Sequence, residues 1–293
     1  MESINVAVES LTALGHPGRL AVFRLLARRA PGGVRPGEII AALGLKPSTL
    51  SVYLAALERA GLIVSRRDGK SILYSISLGE VGALVDYLVA DCCRGRPELC
   101  VPLAERSLQR LGGGGGGTTG RPFTVLFVCV GNSARSIIAE TILTEIGKGR
   151  LRAFSAGTRP SSEMNRSALE VLEKLGHDVS GLRAKNVAEF QGPDAPTIDF
   201  VFTLCDAAAN EECPPWPGQP ITAHWGMKDP VKVTGTEAEK ALAFEETYDA
   251  LRRRLAAFVA LPLDALDRIS LQHRLDTIGL EEADGERHGI GAA

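Results

Sequence analysis

The sequence predicts two globular units of different class: a mainly helical unit carrying a β-hairpin, then a three-layer α/β unit with a parallel sheet. Three observations carry this reading. Up to about Ala60 apolar residues recur at helical spacing, and two short alternating runs follow around Asp68-Gly69. From Val125 onward short apolar runs, the signature of buried strands, alternate with helical stretches. Between them lies Gly112–Gly117 followed by Thr118-Thr119-Gly120, a flexible linker of about nine residues reaching roughly 16 Å. The expected organisation is 1–108, a linker over 109–121, an α/β unit over 122–262, and an amphipathic helix with a disordered tail over 263–293.

A chain of 293 residues that is 45% apolar has ample material for two cores. It holds no apolar run long enough to span a membrane. Glu2 and Glu9 sit where a cleavable leader would be apolar or basic. The reading is a cytoplasmic address, where thiols stay reduced and clustered cysteines mean redox or metal chemistry. The net charge of −2 hides an asymmetry: residues 1–111 carry 14 Lys+Arg against 10 Asp+Glu, the remainder 19 against 25. A weakly basic first part suits a nucleic-acid surface.

In the first unit, Leu11, Leu14, Leu20, Phe23 and Leu26 hold helical spacing, broken at His16-Pro17 where one helix gives way to another. Glu38 to Leu43 forms a short helix with Ile39, Ile40 and Leu43 inward, and Gly44-Leu45-Lys46 makes a turn. Pro47 and Ser48 open the next helix, which buries Leu50, Leu54 and Leu57. Two helices joined by a tight glycine turn form a helix-turn-helix. The run from Leu62 to Ser77 is its wing. Ser48, Thr49, Ser51, Val52 and Tyr53 face outward on the second helix, Lys46 in the turn before it joins them as a candidate DNA contact, and Arg66, Arg67 and Lys70 tip the wing. Short polar side chains let a helix approach base edges in a major groove while wing cations meet phosphates. The competing reading is a winged helix used only for protein contact.

This segment, from LTALGHPGRLAVFRLL to RRDGKSILYSIS, resembles the ArsR/SmtB-type metal-responsive repressors. The resemblance implies a homodimer bound to operator DNA. Many such proteins carry a cysteine pair in the helix before the turn; here that stretch reads VRPGEIIAAL, which excludes a sensor there. Thiols appear instead after the wing, at Cys92, Cys93 and Cys100 in DCCRGRPELC. Three soft ligands suit a trigonal thiophile such as As(III) or Sb(III), whereas Zn(II) would want a fourth. Some arsenic-responsive relatives have a similar tail, which implies As(III) as effector. The alternative is idle thiols at a domain edge.

The second unit is organised around VLFVCVGNSARSIIAE, Val125–Glu140. A strand ends at Cys129, and helical pattern begins at Ser136. Gly131 and Asn132 tolerate left-handed backbone, so Val130, Gly131, Asn132, Ser133, Ala134, Arg135 and Ser136 can curl their amides around an oxyanion. Arg135 supplies a planar fork for two oxygens, and Ser136 can hydrogen-bond the sulfur. The same positive field should favour the nucleophilic thiolate.

These residues, with FSAGTRP at Phe154–Pro160 and HWGMKDP at His224–Pro230, resemble the low-molecular-weight phosphotyrosine phosphatases and their arsenate-reductase relatives. The resemblance runs from about Thr124 to Ala260 and implies Cys129 as nucleophile. Strands end at Cys129 and Cys205, placing both at the active edge of a parallel sheet. In thioredoxin-coupled arsenate reductases a cysteine pair comparable to Cys205 and Cys213 relays the disulfide. Their spacer is usually one residue shorter. Asp229 in Lys228-Asp229-Pro230 can protonate a departing oxygen. His224 and Trp225 read as structural. The implied reductant is an external thiol, thioredoxin or glutaredoxin/glutathione, with no tightly bound cofactor.

Two alternatives differ at named positions. A phosphatase resolves its intermediate with water and follows Asp-Pro with tyrosines, where this chain has Val231-Lys232-Val233. A repressor with a merely oxyanion-binding second unit would not need Cys129, Arg135 and Asp229 together. Ala134 stands where some relatives have a second loop cysteine, so no disulfide can close within this loop.

Overall fold

His16 begins a helix, two residues after the one before it ends at Leu14. In the computed structural model its Nδ1 accepts the amides of Gly18 and Arg19 at 3.1 and 3.4 Å, capping orphan donors at a helix start. The structure describes residues 2–92, 121–192, 194–211, 216 and 218–285, and it divides into two units, Met1–Gln109 and Arg110–Ala293.

In the first unit α1 spans Glu2–Leu14 and α2 Pro17–Arg28. Their inner residues are Ala7, Ser10 and Ala13 on α1, and Val22, Leu25 and Leu26 on α2. Leu11 and Leu20, expected inward, are exposed. The cause is that α1 packs through its small residues, which admit close approach and turn Ile4, Val6, Val8 and Leu11 outward. Helices α3 (Pro36–Leu43) and α4 (Pro47–Arg59) are bent by 113° at Gly44, whose φ is +63°. Leu50, Leu54 and Leu57 of α4 are buried as predicted. Lys46 occupies the cap position and Pro47 the first turn, so Ser48 lies one step inside the helix. Strands β1 (Ile63–Asp68) and β2 (Ser71–Ile76) pair antiparallel with Asp68 opposite Ser71. The hairpin loop is therefore Gly69-Lys70, one residue beyond the predicted Asp-Gly. Helix α5 (Leu78–Asp86) continues as a π-helical turn over Tyr87–Cys92.

The second unit is a four-stranded parallel sheet, β3 (Phe123–Cys129), β4 (Leu151–Gly157), β5 (Phe200–Thr203) and β6 (Ile221–His224), in the order β4-β3-β5-β6. Its helices are α6 (Arg135–Ile146), α7 (Arg166–Lys174), α8 (Asp206–Asn210), α9 (Glu237–Val259) and α10 (Arg268–Gly285). Strand order reverses at β3, and sheets of this kind hold their ligands beyond the carboxyl ends of the strands at such a point. Cys129 stands there. Asp199 fixes the other end, accepting the Thr124 amide at 2.7 Å and the Arg121 guanidinium at 2.7 and 2.8 Å.

One core unites Phe127, Phe200, Phe202, Trp225 and Phe258 with α6 and α9. Leu271, Leu275 and Ile278 of α10 belong to it too, so the C-terminal amphipathic helix covers this unit's own sheet edge at β6. At roughly 1.5–3 kcal/mol per buried large apolar side chain, that is a substantial attachment. No single helix among the described residues is long and apolar enough to cross a membrane.

Candidate active site

Cys129 is buried at the end of β3. The carbonyls of Cys129, Val130, Gly131 and Ser133 accept bonds from the amides of Thr158, Arg159, Ser161 and Asn165 respectively. A trans peptide sets its N–H opposite its C=O, so outward carbonyls turn the following amides inward. The Asn132 amide accordingly donates to the Cys129 sulfur at 3.2 Å. Gly157 makes the close approach feasible: a Cβ there would lie 2.5 Å from the Val130 carbonyl and 3.0 Å from the Asn132 nitrogen.

Asn132 is fully buried with φ +44°, a strained value held by its side chain. Its Oδ1 accepts the Lys185 backbone amide at 2.6 Å. That donor fixes the amide orientation, so Nδ2 must donate to Ser136 Oγ at 2.9 Å and to Ser155 Oγ at 2.8 Å. Ser136 Oγ, 2.9 Å from the Cys129 sulfur, then has its own proton free for that sulfur. Ser155 in turn donates to Glu140, which pairs with Lys185 Nζ at 2.9 Å. The serine placed beside the sulfur by sequence reasoning is thus part of a longer buried chain. Ser155, Glu140 and Lys185 went unrecognised in the sequence: Ser155 and Lys185 are far from the loop in chain order, and Glu140, on the helix that leaves the loop, has no role there without them.

Arg135 is nearly buried. Its guanidinium donates to the Met227 carbonyl at 3.0 Å and pairs with Asp229 at 2.9 Å. The predicted anion fork and the predicted proton donor are therefore brought together. Cys205 follows β5, caps α8, and shares a buried cluster with Cys129, Val128 and Ala208. Burial pushes its thiol up, against the opposing pull of the Ala208 amide, Arg135 and the Val130 amide. Both cysteines are unpaired. Cys213 lies outside the described residues. His224 bridges Thr203 and Asp206 at 2.8 and 3.0 Å, joining β6 to β5 and the start of α8.

In the first unit, Lys46, Ser48 and Ser51 are exposed and Thr49 half-buried. The Ser51 hydroxyl bonds back to the Pro47 carbonyl at 3.0 Å. Tyr53, expected to face outward, instead folds against α2, its ring 5.0 Å from that of His16. Gly18 leaves the room: a Cβ there would lie 2.5 Å from the Tyr53 ring. Arg66, Arg67 and Lys70 are exposed on the wing. Cys92 is an exposed thiol at the end of the π-helical turn; Cys93 and Cys100 lie outside the described residues.

Residues 124–269 match the family of low molecular weight phosphotyrosine protein phosphatases, and residues 14–66 match a helix-turn-helix domain. An arsenate reductase of Bacillus licheniformis is 33% identical over 136 residues, covering 46% of this chain and 94% of its own. A glutaredoxin arsenate reductase of Synechocystis is 34% identical over 106 residues, covering 36% of this chain and 77% of its own. Among solved structures, a thioredoxin-dependent arsenate reductase of Corynebacterium glutamicum is 25% identical, with a TM-score of 0.35, covering 56% of this chain and 74% of that one.

Proposed function

Because the chain belongs to the arsenate reductases of the low-molecular-weight phosphatase family, with a helix-turn-helix unit ahead of the enzyme, we propose that it couples thiol-dependent arsenate reduction to arsenite-controlled DNA binding. The observation that carries the enzymatic part is the shared buried cluster of Cys129 and Cys205 at the ends of adjacent strands.

Cys129 attacks arsenate seated on the inward amides from Val130 to Ser136 and on Arg135. An arsenic–sulfur bond forms, and one oxygen leaves as water with a proton from Asp229, which takes that proton from solvent once the anion has displaced it from Arg135. Cys205, as thiolate, then attacks the Cys129 sulfur. The new disulfide costs the two sulfurs two electrons, which remain on arsenic as it departs as arsenite. Cys213 attacks Cys205, returns Cys129 to its thiol, and leaves a Cys205–Cys213 disulfide for thioredoxin or glutaredoxin/glutathione. Ala134, buried in the loop, offers no sulfur for a shorter route.

The first unit acts as a repressor. Lys46, Ser48, Thr49 and Ser51 face the DNA groove, and Arg66, Arg67 and Lys70 meet the backbone. Tyr53 serves to hold α4 against α2. A second copy covers the apolar side chains Ile4, Val6, Val8 and Leu11 of α1 with Val85 and Val89 after the wing, all exposed in the single chain. Cys92, Cys93 and Cys100 take As(III), the product of the second unit. The deciding experiment is arsenate-dependent oxidation of thioredoxin or glutaredoxin by the purified chain. No oxidation with either would overturn the enzymatic reading.

A further inference from the structure

The family match ends at residue 269, just inside α10, yet α10 is tied to the segment that carries Asp229. Trp225 is fully buried, and its indole N–H donates to the Leu275 carbonyl at 2.9 Å. Arg254 of α9, itself buried, donates to the Trp225 carbonyl at 3.3 Å and the Gly279 carbonyl at 3.4 Å. Gln272 donates to the Thr222 carbonyl of β6 at 2.8 Å. The approach at Gly279 is closed to any side chain: a Cβ would stand 2.6 Å from Trp225 Cδ1 and 2.9 Å from the His224 carbonyl.

The same segment reaches the site within four residues. The Trp225 amide donates to the Thr203 carbonyl at 2.8 Å and the Met227 amide to the Leu204 carbonyl at 3.2 Å. The Met227 carbonyl accepts Arg135, and Asp229 pairs with it. A backbone held on one side by β5 and on the other by α10 has little freedom left. A proton donor must be set to within a fraction of an ångström of the departing oxygen to be effective.

We infer that α10 is a positioning element for the acid loop, acting through Trp225, Arg254 and Gly279 to hold Asp229 in register with the site. Those three are positioning residues, remote from the reacting atoms. The inference rests on the reading of Asp229 as proton donor. Its reach extends past the matched family segment, because most of α10 lies beyond residue 269.

The test uses the full chain with Gly279→Ala, with Arg254→Lys as a second, gentler variant and Ile269→Ala, on the exposed face of α10, as control. Arsenate turnover with thioredoxin should show kcat down about tenfold in the first two, KM and the rate of Cys129 alkylation by iodoacetamide within twofold, and the control unchanged. In an Asp229→Asn background, Gly279→Ala should lower kcat no further, since a displaced acid cannot be lost twice. Amide exchange over residues 225–229 should quicken while that over 200–204 stays put; this reads the loop without turnover, so a chain inactive toward arsenate would overturn the proposed function and still test the positioning role of α10. Equal losses in the presence and absence of Asp229, or unchanged exchange over 225–229, would overturn the inference.

Discussion

Asp229→Asn should move binding and catalysis in opposite directions. The guanidinium that is to grip an oxyanion is held by the Asp229 carboxylate at 2.9 Å, with side-chain exposures of 10% for Arg135 and 25% for Asp229. An incoming anion has to displace that carboxylate. Two unit charges near 4 Å attract by about 4 kcal/mol at an effective dielectric of 20. Partial exposure and desolvation leave a net of about 1 kcal/mol. Asparagine keeps an acceptor for Arg135 but removes the competing charge, so inhibition by phosphate should tighten about fivefold. Loss of the proton donor should lower kcat by about 10²–10⁴. The assay is steady-state arsenate reduction with phosphate as competitive inhibitor. Unchanged or weaker phosphate inhibition would refute the competition, and unchanged kcat would refute the acid.

Cys129→Ser should abolish arsenate turnover in a folded chain, with residual activity above a few per cent counting against the nucleophile. Cys205→Ser should stop turnover at an adduct that glutathione rescues, while loss of all thiol-rescued activity would make Cys205 structural. Burial raises the Cys205 thiol, so its thiolate is scarce at neutral pH and the single-turnover resolution rate should climb about tenfold per unit across roughly pH 7–9; a flat profile contradicts this. The linkage has matching sign: the buried neutral thiol stabilises the fold below its unfolded pKa, and that contribution is lost as pH rises through the higher folded value. Removing Arg66 and Arg67 should weaken DNA binding across sequences and flatten its salt dependence by about one unit of slope for each phosphate left unneutralised, which titration at several salt concentrations reads. In a DNA-release assay Cys92→Ser should lose the response to arsenite and arsenate yet keep reducing arsenate, and Cys129→Ser should lose only the response to arsenate; normal arsenite release by Cys92→Ser would place the sensor elsewhere.

What was legible in the sequence was local. Cys129, Gly131, Asn132, Arg135 and Ser136 lie within one turn and the start of α6, where residue type and backbone demand coincide. The winged unit was legible for the same reason, through Gly44, Pro47 and the hairpin. Strand β6, Ile221–His224, is as short as β5 but mixes Thr and His with Ile and Ala, so it lacks the apolar run that marks β5. Helix α9 went unread although Thr236 and Glu239 form a capping box at its start; its charged residues obscured the buried stripe of Phe244, Tyr248, Leu251 and Leu255. The Glu140–Lys185 pair joins positions 45 residues apart, and no spacing rule connects them. Tyr53 looked outward by helical phase, but the bare Cα of Gly18 drew it in.

The buried amide of Asn132 also sets a direction. A main-chain N–H, that of Lys185, decides which end of this side chain gives protons and which receives. Every hydroxyl downstream inherits that choice: Ser136 toward the sulfur, Ser155 toward Glu140. Aspartate, the residue nearest to asparagine in shape, has no proton to give when ionised and would turn both hydroxyls back toward itself. The site is therefore least tolerant of the substitution that fits it best, because it is polarity along the chain of hydrogen bonds, and not volume, that the position encodes.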